Sequence, residues 1–277
     1  MTPTLSGGRH RALFLDIDGT YAHHGVVPQE HAAAVRAARA AGHLVFLCTG
    51  RPLSLLTPRI VAAGFDGYVA GAGMYASVGD TVLVNDTFPT DLAARALEAL
   101  DAHGALYLLE AAEATYARPA TIDAMTHRSP AGGMSTGRRD ILAALTPAED
   151  LSGLAFGKVA SFHAKAPLAQ IAHEVGPEVT VLPSSIPELG AGAGEMFLAG
   201  MHKALGIAAV VEHLGLDRED VIGFGDGLND VEMLEYAAVG VAIEGARPQV
   251  LAAADRIARG PQHAGLAEAF SDLGLLE

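Results

Sequence analysis

The sequence predicts an α/β fold, a doubly wound parallel-sheet core split in the chain by an inserted α+β domain. Three observations predict it. Short apolar runs alternate with Ala-rich helical stretches to about residue 80, and the same rhythm returns from about residue 202. The stretch between them carries hairpin and mixed-strand signals instead.

In the first part, residues 13–16 read as a strand and 28–41 as an Ala-rich helix with Pro28 near its start. Residues 44–48 form a second buried strand, 54–63 a helix interrupted near Pro58, and 68–70 a third strand. The runs at 74–77 and 81–85 flank Gly79-Asp80, a hairpin signal. A helix at 92–102, strands at 106–110 and 115–117 and a helix at 122–127 follow. Residues 129–137 are rich in Gly and Ser and read as a loop. A helix at 138–145, a strand at 159–163, a helix at 168–175 and a strand at 179–182 complete an antiparallel or mixed segment. The closing part has a helix at 203–214, a strand at 221–224, a helix at 231–237 and a strand at 239–243. Elements at 247–254, 256–258 and 264–270 end the chain. The expected domains are a discontinuous core of residues 1–83 and 190–277 and an inserted domain of residues 84–189.

Composition narrows the function. A chain of 277 residues suits two domains, and with half its residues hydrophobic and only 18% charged it can pack both cores. The formal net charge of −14, from 18 Lys and Arg against 32 Asp and Glu, repels nucleic acid and anionic membranes. An anionic substrate must therefore be captured by local basic groups, backbone amides or a metal. The single cysteine, Cys48, rules out an intrachain disulfide, fits a reducing compartment and sits in an apolar run as a buried hydrophobe. Residues 1–8 lack a signal-peptide hydrophobic region, and no long uncharged apolar stretch could span a bilayer. The expectation is a soluble, cytoplasmic protein, monomeric or weakly dimeric.

Four clusters carry chemistry. The first strand ends in Asp16-Ile17-Asp18-Gly19-Thr20. Side chains two apart on an extended segment share a face, so Asp16 and Asp18 can converge on one ligand. Two hard oxygen donors suit Mg²⁺ or an electrophile beside it, the alternative being a plain Asp-Gly turn. The second strand ends in Thr49-Gly50-Arg51, where a hydroxyl and a glycine at a strand's carboxyl end can meet an anion, or simply cap a helix. Asp226-Gly227-Leu228-Asn229-Asp230 follows another buried strand. Its acids suit a metal or phosphate site, with helix capping as the rival account. Lys203 opens a helix, where a cation opposes the dipole, so a bound anion or mere solvent exposure must explain it. Three strands ending in polar, glycine-spaced clusters, with a lysine in the same part of the chain, argue for one site.

The four clusters, in this order, resemble the motifs of the haloacid dehalogenase superfamily, and within it the Cof-type phosphatases with a class-IIB cap. Val231-Glu232-Met233-Leu234 and Gly240-Val241-Ala242 continue the likeness. The resemblance implies a Rossmann-like core with an inserted cap domain. It implies that Asp16 is the nucleophile, forming an aspartyl-phosphate, and that Asp18 is the general acid and base. Thr49, Gly50, Arg51 and Lys203 would bind and stabilise the phosphoryl group, and Asn229 would orient substrate or phosphate. Mg²⁺ would be held by Asp16, the Asp18 carbonyl and Asp226, with Asp230 in support. Asp18 sets the chain apart from relatives that pump ions, which carry Thr there, and from dehalogenases, which lack the second acid. Gly71-Ala72-Gly73, His202-Lys203-Ala204 and Tyr21-Ala22-His23-His24 depart from the usual pattern without removing a catalytic group. His23 and His24 read as a solvated loop. Arg118, His127, Arg128, Arg138, Arg139 and Lys158 are the cationic candidates of the inserted domain, most of them expected on solvated faces. The expected activity is a Mg²⁺-dependent phosphatase acting on a small phosphorylated metabolite. A phosphomutase of the phosphomannomutase type and a non-catalytic phosphate-binding domain are the alternatives.

Overall fold

Strands built from unbroken apolar runs belong inside a sheet covered on both faces, and β1 (Ala12–Leu15) is buried along its whole length. The computed structural model describes residues 10–127, 136–184 and 186–277. Arg128 and positions 129–135 of the expected loop lie outside the described residues. After β1 come α1 (Gln29–Ala40), β2 (Leu44–Cys48), α2 (Pro58–Val61), β3 (Gly67–Ala70), β4 (Tyr75–Val78) and β5 (Thr81–Asn85). The middle of the chain forms α3 (Thr90–Ala102), β6 (Leu106–Glu110), β7 (Thr115–Ala117), α4 (Pro119–His127), α5 (Thr136–Ala144) and β8 (Leu145–Pro147). It continues with β9 (Lys158–His163), α6 (Leu168–Val175), β10 (Val179–Pro183) and β11 (Gly194–Leu198). The last part is α7 (Lys203–Leu214), β12 (Val221–Gly225), α8 (Val231–Tyr236), β13 (Val239–Ile243), α9 (Pro248–Ala252), β14 (Arg256–Ala258) and α10 (Gly265–Asp272).

The chain divides into two compact units. The first holds the chain through Gly50, Leu56–Val84 and His202–Glu277, and the second holds Arg51–Leu55 and Asn85–Met201. In the first unit the strand order is β14-β13-β12-β1-β2-β3-β4-β5. The pairs from β14 to β3 are parallel, and β4 runs antiparallel to β3. Side-chain alternation splits the core into two layers. Leu13 and Leu15 pack with Val35 of α1 and Phe270 of α10, while Ala12 and Phe14 pack with Ile207 and Val210 of α7. Strand order reverses between β1 and β12, the place where doubly wound sheets bind ligands.

In the second unit the order is β10-β11-β9-β6-β7-β8, with β7 and β8 parallel and the other neighbouring pairs antiparallel. One sheet face, with Tyr107, Leu109, Val159 and Met196, packs under Leu92 and Leu100 of α3 and Ile171 and Val175 of α6. On the opposite face Leu108 packs with Ala117, Met125 and Leu145.

The second unit starts at Asn85, one residue after the expected 84, and differs from the expected 84–189 more substantially at two other places. It extends to Met201 because β11 pairs between β9 and β10. That strand opens on a glycine and carries Glu195, which hid it among the flanking Gly and Ala. The unit also takes Arg51–Leu55, whose Ser54 hydroxyl donates to the Ala111 carbonyl at 2.9 Å and shares a 2.8 Å hydrogen bond with the Thr115 hydroxyl. No helix among the described residues is long and apolar enough to cross a membrane.

Candidate active site

Parallel register brings three polar strand ends side by side. Leu15 of β1 pairs with Leu47 of β2 and with Phe224 of β12, so the chain leaves all three strands at the same edge. Asp16 follows β1, and its amide donates to the Phe224 carbonyl at 2.9 Å. The loop beyond it closes on itself. Tyr21 N–H donates to the Asp16 carbonyl (3.1 Å), Ala22 N–H to that of Ile17 (2.7 Å), and Gly19 N–H to that of Ala22 (2.9 Å). Gly19 has φ +96°, and a Cβ there would lie 2.2 Å from an Asp226 carboxylate oxygen. Only glycine lets these two loops approach so closely. Beside it the Thr20 hydroxyl donates to Asp226 Oδ1 at 2.8 Å.

Lys203, at the start of α7, is fully buried. Its ammonium donates to Asp16 Oδ1 at 2.5 Å and to Asp230 Oδ1. Burial excludes the solvated-lysine account, and the partners show that Lys203 answers carboxylates. The other oxygen of Asp230 accepts the amides of Asp226 (3.0 Å) and Gly227 (2.8 Å). Asp230 is thereby held by backbone on one side and by the lysine on the other. Thr49 is buried, its amide donating to the Val69 carbonyl at 2.8 Å and its carbonyl accepting Ala72 N–H at 3.1 Å. Asp18 is exposed, whereas Gly50 and Asn229 are partly buried. Arg51 belongs to the second unit, where its charge acts on Glu110.

The electrostatics leave the acids under-compensated. Burial pushes the Asp16 carboxyl well above its ordinary value, Lys203 opposes this, and Asp230 and Asp226 add to it. Burial and then the Asp230 charge push the Asp226 carboxyl up to about 6. Burial works against the charge on Lys203, but Asp16 and Asp230 outweigh it and hold the ammonium above its ordinary value. One carboxylate oxygen each from Asp16, Asp226 and Asp230 lie within 4.8 Å of one another. Three carboxylates against one ammonium, all offering hard oxygen donors, fit a divalent cation of the Mg²⁺ type.

Sequence reasoning left Thr20 without a role, though it ends the first cluster, and it could not pair Lys203 with Asp16. The histidines His23 and His24 are exposed, their rings 4.1 Å apart. In the second unit several cationic candidates have partners of their own. Arg118 holds Asp101 through two hydrogen bonds of 2.6 and 2.7 Å, and Arg138 donates to the Met125 carbonyl at 2.6 Å. His127 Nδ1 lies 2.7 Å from the Asp123 carbonyl, and Arg139 donates to the Thr136 hydroxyl at 3.3 Å. Lys158 departs from a solvated face altogether, being buried between Glu110 and Glu195 at 2.9 and 2.8 Å.

A family model for haloacid dehalogenase-like hydrolases matches residues 13–270. "Putative phosphatase YkrA" of Bacillus subtilis is 28% identical over 276 residues, covering 96% of this chain and 99% of its own. Over 65 residues, 24% of either chain, there is 42% identity with "5-amino-6-(5-phospho-D-ribitylamino)uracil phosphatase YbjI" of Escherichia coli. The solved structure of the "HAD Subclass IIB Sugar Phosphatase BT4131" superposes with a TM-score of 0.75 at 24% identity, over 96% of this chain and 99% of that one. That likeness establishes the shared fold, an α/β core with a cap.

Proposed function

The chain belongs to the haloacid dehalogenase-like hydrolase family, and from that premise we propose that it is a Mg²⁺-dependent phosphatase acting on a small phosphorylated metabolite, a sugar phosphate or related monoester. One observation carries the reading: a buried lysine ties Asp16 to Asp230, with the Asp226 carboxylate alongside. The names of the sugar phosphatase and the ribitylaminouracil phosphatase among the relatives support the substrate class. In this reading the first unit is the hydrolase core and the second the substrate-specificity cap.

Asp16, in its ionised form, attacks phosphorus, so that a bond forms from its carboxylate oxygen to phosphorus as the ester P–O bond breaks. Asp18, exposed beside it, gives a proton to the departing alkoxide. It then takes a proton from the water that attacks the aspartyl-phosphate, releasing inorganic phosphate. Thr49 and Lys203 stabilise charge on the phosphoryl oxygens, with the Gly50 backbone and Asn229 orienting the group. Arg51 is the remaining phosphate-binding candidate. Asp16, the Asp18 carbonyl and Asp226 would hold Mg²⁺, with Asp230 in support through its hold on the Asp226 amide. Bound there, the cation supplies charge neutralisation for the incoming phosphate.

The test is phosphate release from a panel of monoesters with Mg²⁺. Hydrolysis of at least one sugar phosphate is the expected result. Isomerisation without free phosphate would point to a mutase, and silence across the panel would overturn the enzyme reading.

A further inference from the structure

His31 of α1 is completely buried, and both of its ring nitrogens meet backbone from distant parts of the first unit. Nε2 lies 3.2 Å from the amide nitrogen of Leu266, and Nδ1 lies 3.0 Å from the carbonyl oxygen of Tyr21. An amide can only donate and a carbonyl can only accept, so the partners themselves assign the tautomer. Nε2 carries the lone pair and Nδ1 carries the proton. A second proton would set N–H against N–H at Leu266, so the imidazole must be neutral. Burial lowers its pKa in the same direction, against smaller opposing effects of the Tyr21 carbonyl and Glu30.

The two partners differ in kind. Leu266 lies in the first turn of α10, where amides have no partner within the helix. Tyr21 belongs to the closed loop that carries Asp18. Its own amide is spent on the Asp16 carbonyl, and the next residue, Ala22, bridges to Asp18. The Tyr21 carbonyl is thus the polar tie of this loop to α1, beside the apolar packing of Ile17, Tyr21 and Ala22 in the same layer. Ring contacts fix the same point, since the Tyr21 ring stacks on His31 at 6.5 Å and meets Phe65 edge-on at 5.5 Å.

We propose that His31 is a positioning residue for Asp18: a neutral imidazole strut that holds the loop of the general acid against the C-terminal helix. The inference rests on the phosphatase reading. Asp18 is exposed and sits on a loop, so its aim toward a leaving group depends on how firmly that loop is held. A misaimed acid costs most where the leaving group most needs a proton. Loss of the strut therefore slows esters of alcohols more than esters of acidic phenols.

The experiment compares kcat/KM for p-nitrophenyl phosphate and for an alkyl phosphate such as glycerol phosphate, well below the melting temperature of each variant. His31→Asn keeps a donor where Nδ1 stands and is expected to leave the ratio of the two substrates within about 3-fold of the parent. His31→Gln reaches the Nε2 position, and His31→Leu makes neither bond. Both are expected to lose about 10-fold or more on the alkyl ester and less than about 3-fold on the phenyl ester. Should His31→Leu fail to fold, the Asn and Gln variants carry the comparison alone. An unchanged ratio in Gln and Leu, or an equal fall on both esters, would overturn the strut as a positioning device. Where the parent does not turn over glycerol phosphate, a sugar phosphate that it hydrolyses serves as the alkyl ester, and if it hydrolyses no monoester the phosphatase reading fails instead.

Discussion

Lys203 in the first unit and Lys158 in the second are both essentially inaccessible to solvent, and each contacts two carboxylates. Their settings differ. Lys158 and Glu110 are direct partners in the ladder between β9 and β6, and Glu195 reaches across from β11. These groups stand within paired strands, where backbone donors are already spent. Burial pushes the Glu110 carboxyl up to about 7, with Lys158 and Arg51 opposing and Glu195 assisting, so a single proton can remove the excess charge. Lys203 instead meets acids on loops beyond the strand ends, where spare amides hold Asp230 and a third carboxylate, Asp226, adds uncompensated charge. Similar local chemistry therefore yields a closed ion pair in one place and a cluster with acid in excess in the other. The difference lies in whether the surrounding backbone has amides left to give to the acids.

The largest test of that contrast is Asp16→Asn. It removes the proposed nucleophile while keeping a partner for Lys203, and turnover should fall by more than about 10³-fold with the fold intact. Circular dichroism and phosphate release check both halves, and substantial residual turnover would remove Asp16 from the reaction. Next, Lys203→Met should lower kcat/KM by about 10²–10³-fold, the scale of losing a charge-stabilising donor. By contrast, the triple change Lys158→Met, Glu110→Leu and Glu195→Gln, which leaves no carboxylate unpaired, should be neutral or stabilising by up to about 1–4 kcal/mol, as for other buried ion networks replaced by uncharged groups. Its hydrolysis of p-nitrophenyl phosphate should stay within about 3-fold, and a collapse of activity in the folded variant would erase the contrast.

A smaller effect concerns Mg²⁺. Saturating Mg²⁺ should raise the melting temperature, by linkage worth about 2.7 kcal/mol at a hundred times the dissociation constant. The gain should be larger at pH 7.5 than at pH 5, because the Asp226 carboxyl is pushed up to about 6 and protons compete with the cation below that. Equal gains at both pH values would argue against Asp226 as a ligand. The smallest effect is at Glu110. Its pKa is raised from 4.5 to about 7 in the fold, so the folded state binds more protons than the unfolded chain between those values. Its contribution to stability is therefore present at low pH and lost as pH rises through about 7. Glu110→Gln should flatten melting temperature against pH over this range, measured without metal.

Much of the core was legible in the sequence because its signals are local. The boundaries of α7, β13 and β14 agree with the expected runs, and the apolar residues of β1, β2 and β12 mark fully buried strands. The polar clusters at their ends could be seen because a strand that stops at glycine and aspartate reads the same in any context. The hairpin around Gly79-Asp80 was equally plain, since turn chemistry sits within a few residues. Less visible were β8, a short strand after α5, and β11, whose partners lie in other parts of the chain.

By itself, then, the sequence determined the alternating strands and helices, the acids at the ends of β1 and β12, and a lysine opening α7. All of these depend on side-chain period and turn residues over a few positions. Only the tertiary structure decided that Lys203 reaches Asp16 across 187 residues, that Lys158 is sealed between two glutamates, and that His31 joins Tyr21 to Leu266. The reason is physical. Burial, ion pairing and the tautomer of an imidazole are set by which groups sheet register and helix packing bring together, and no local pattern in the chain encodes the identity of a partner so far away.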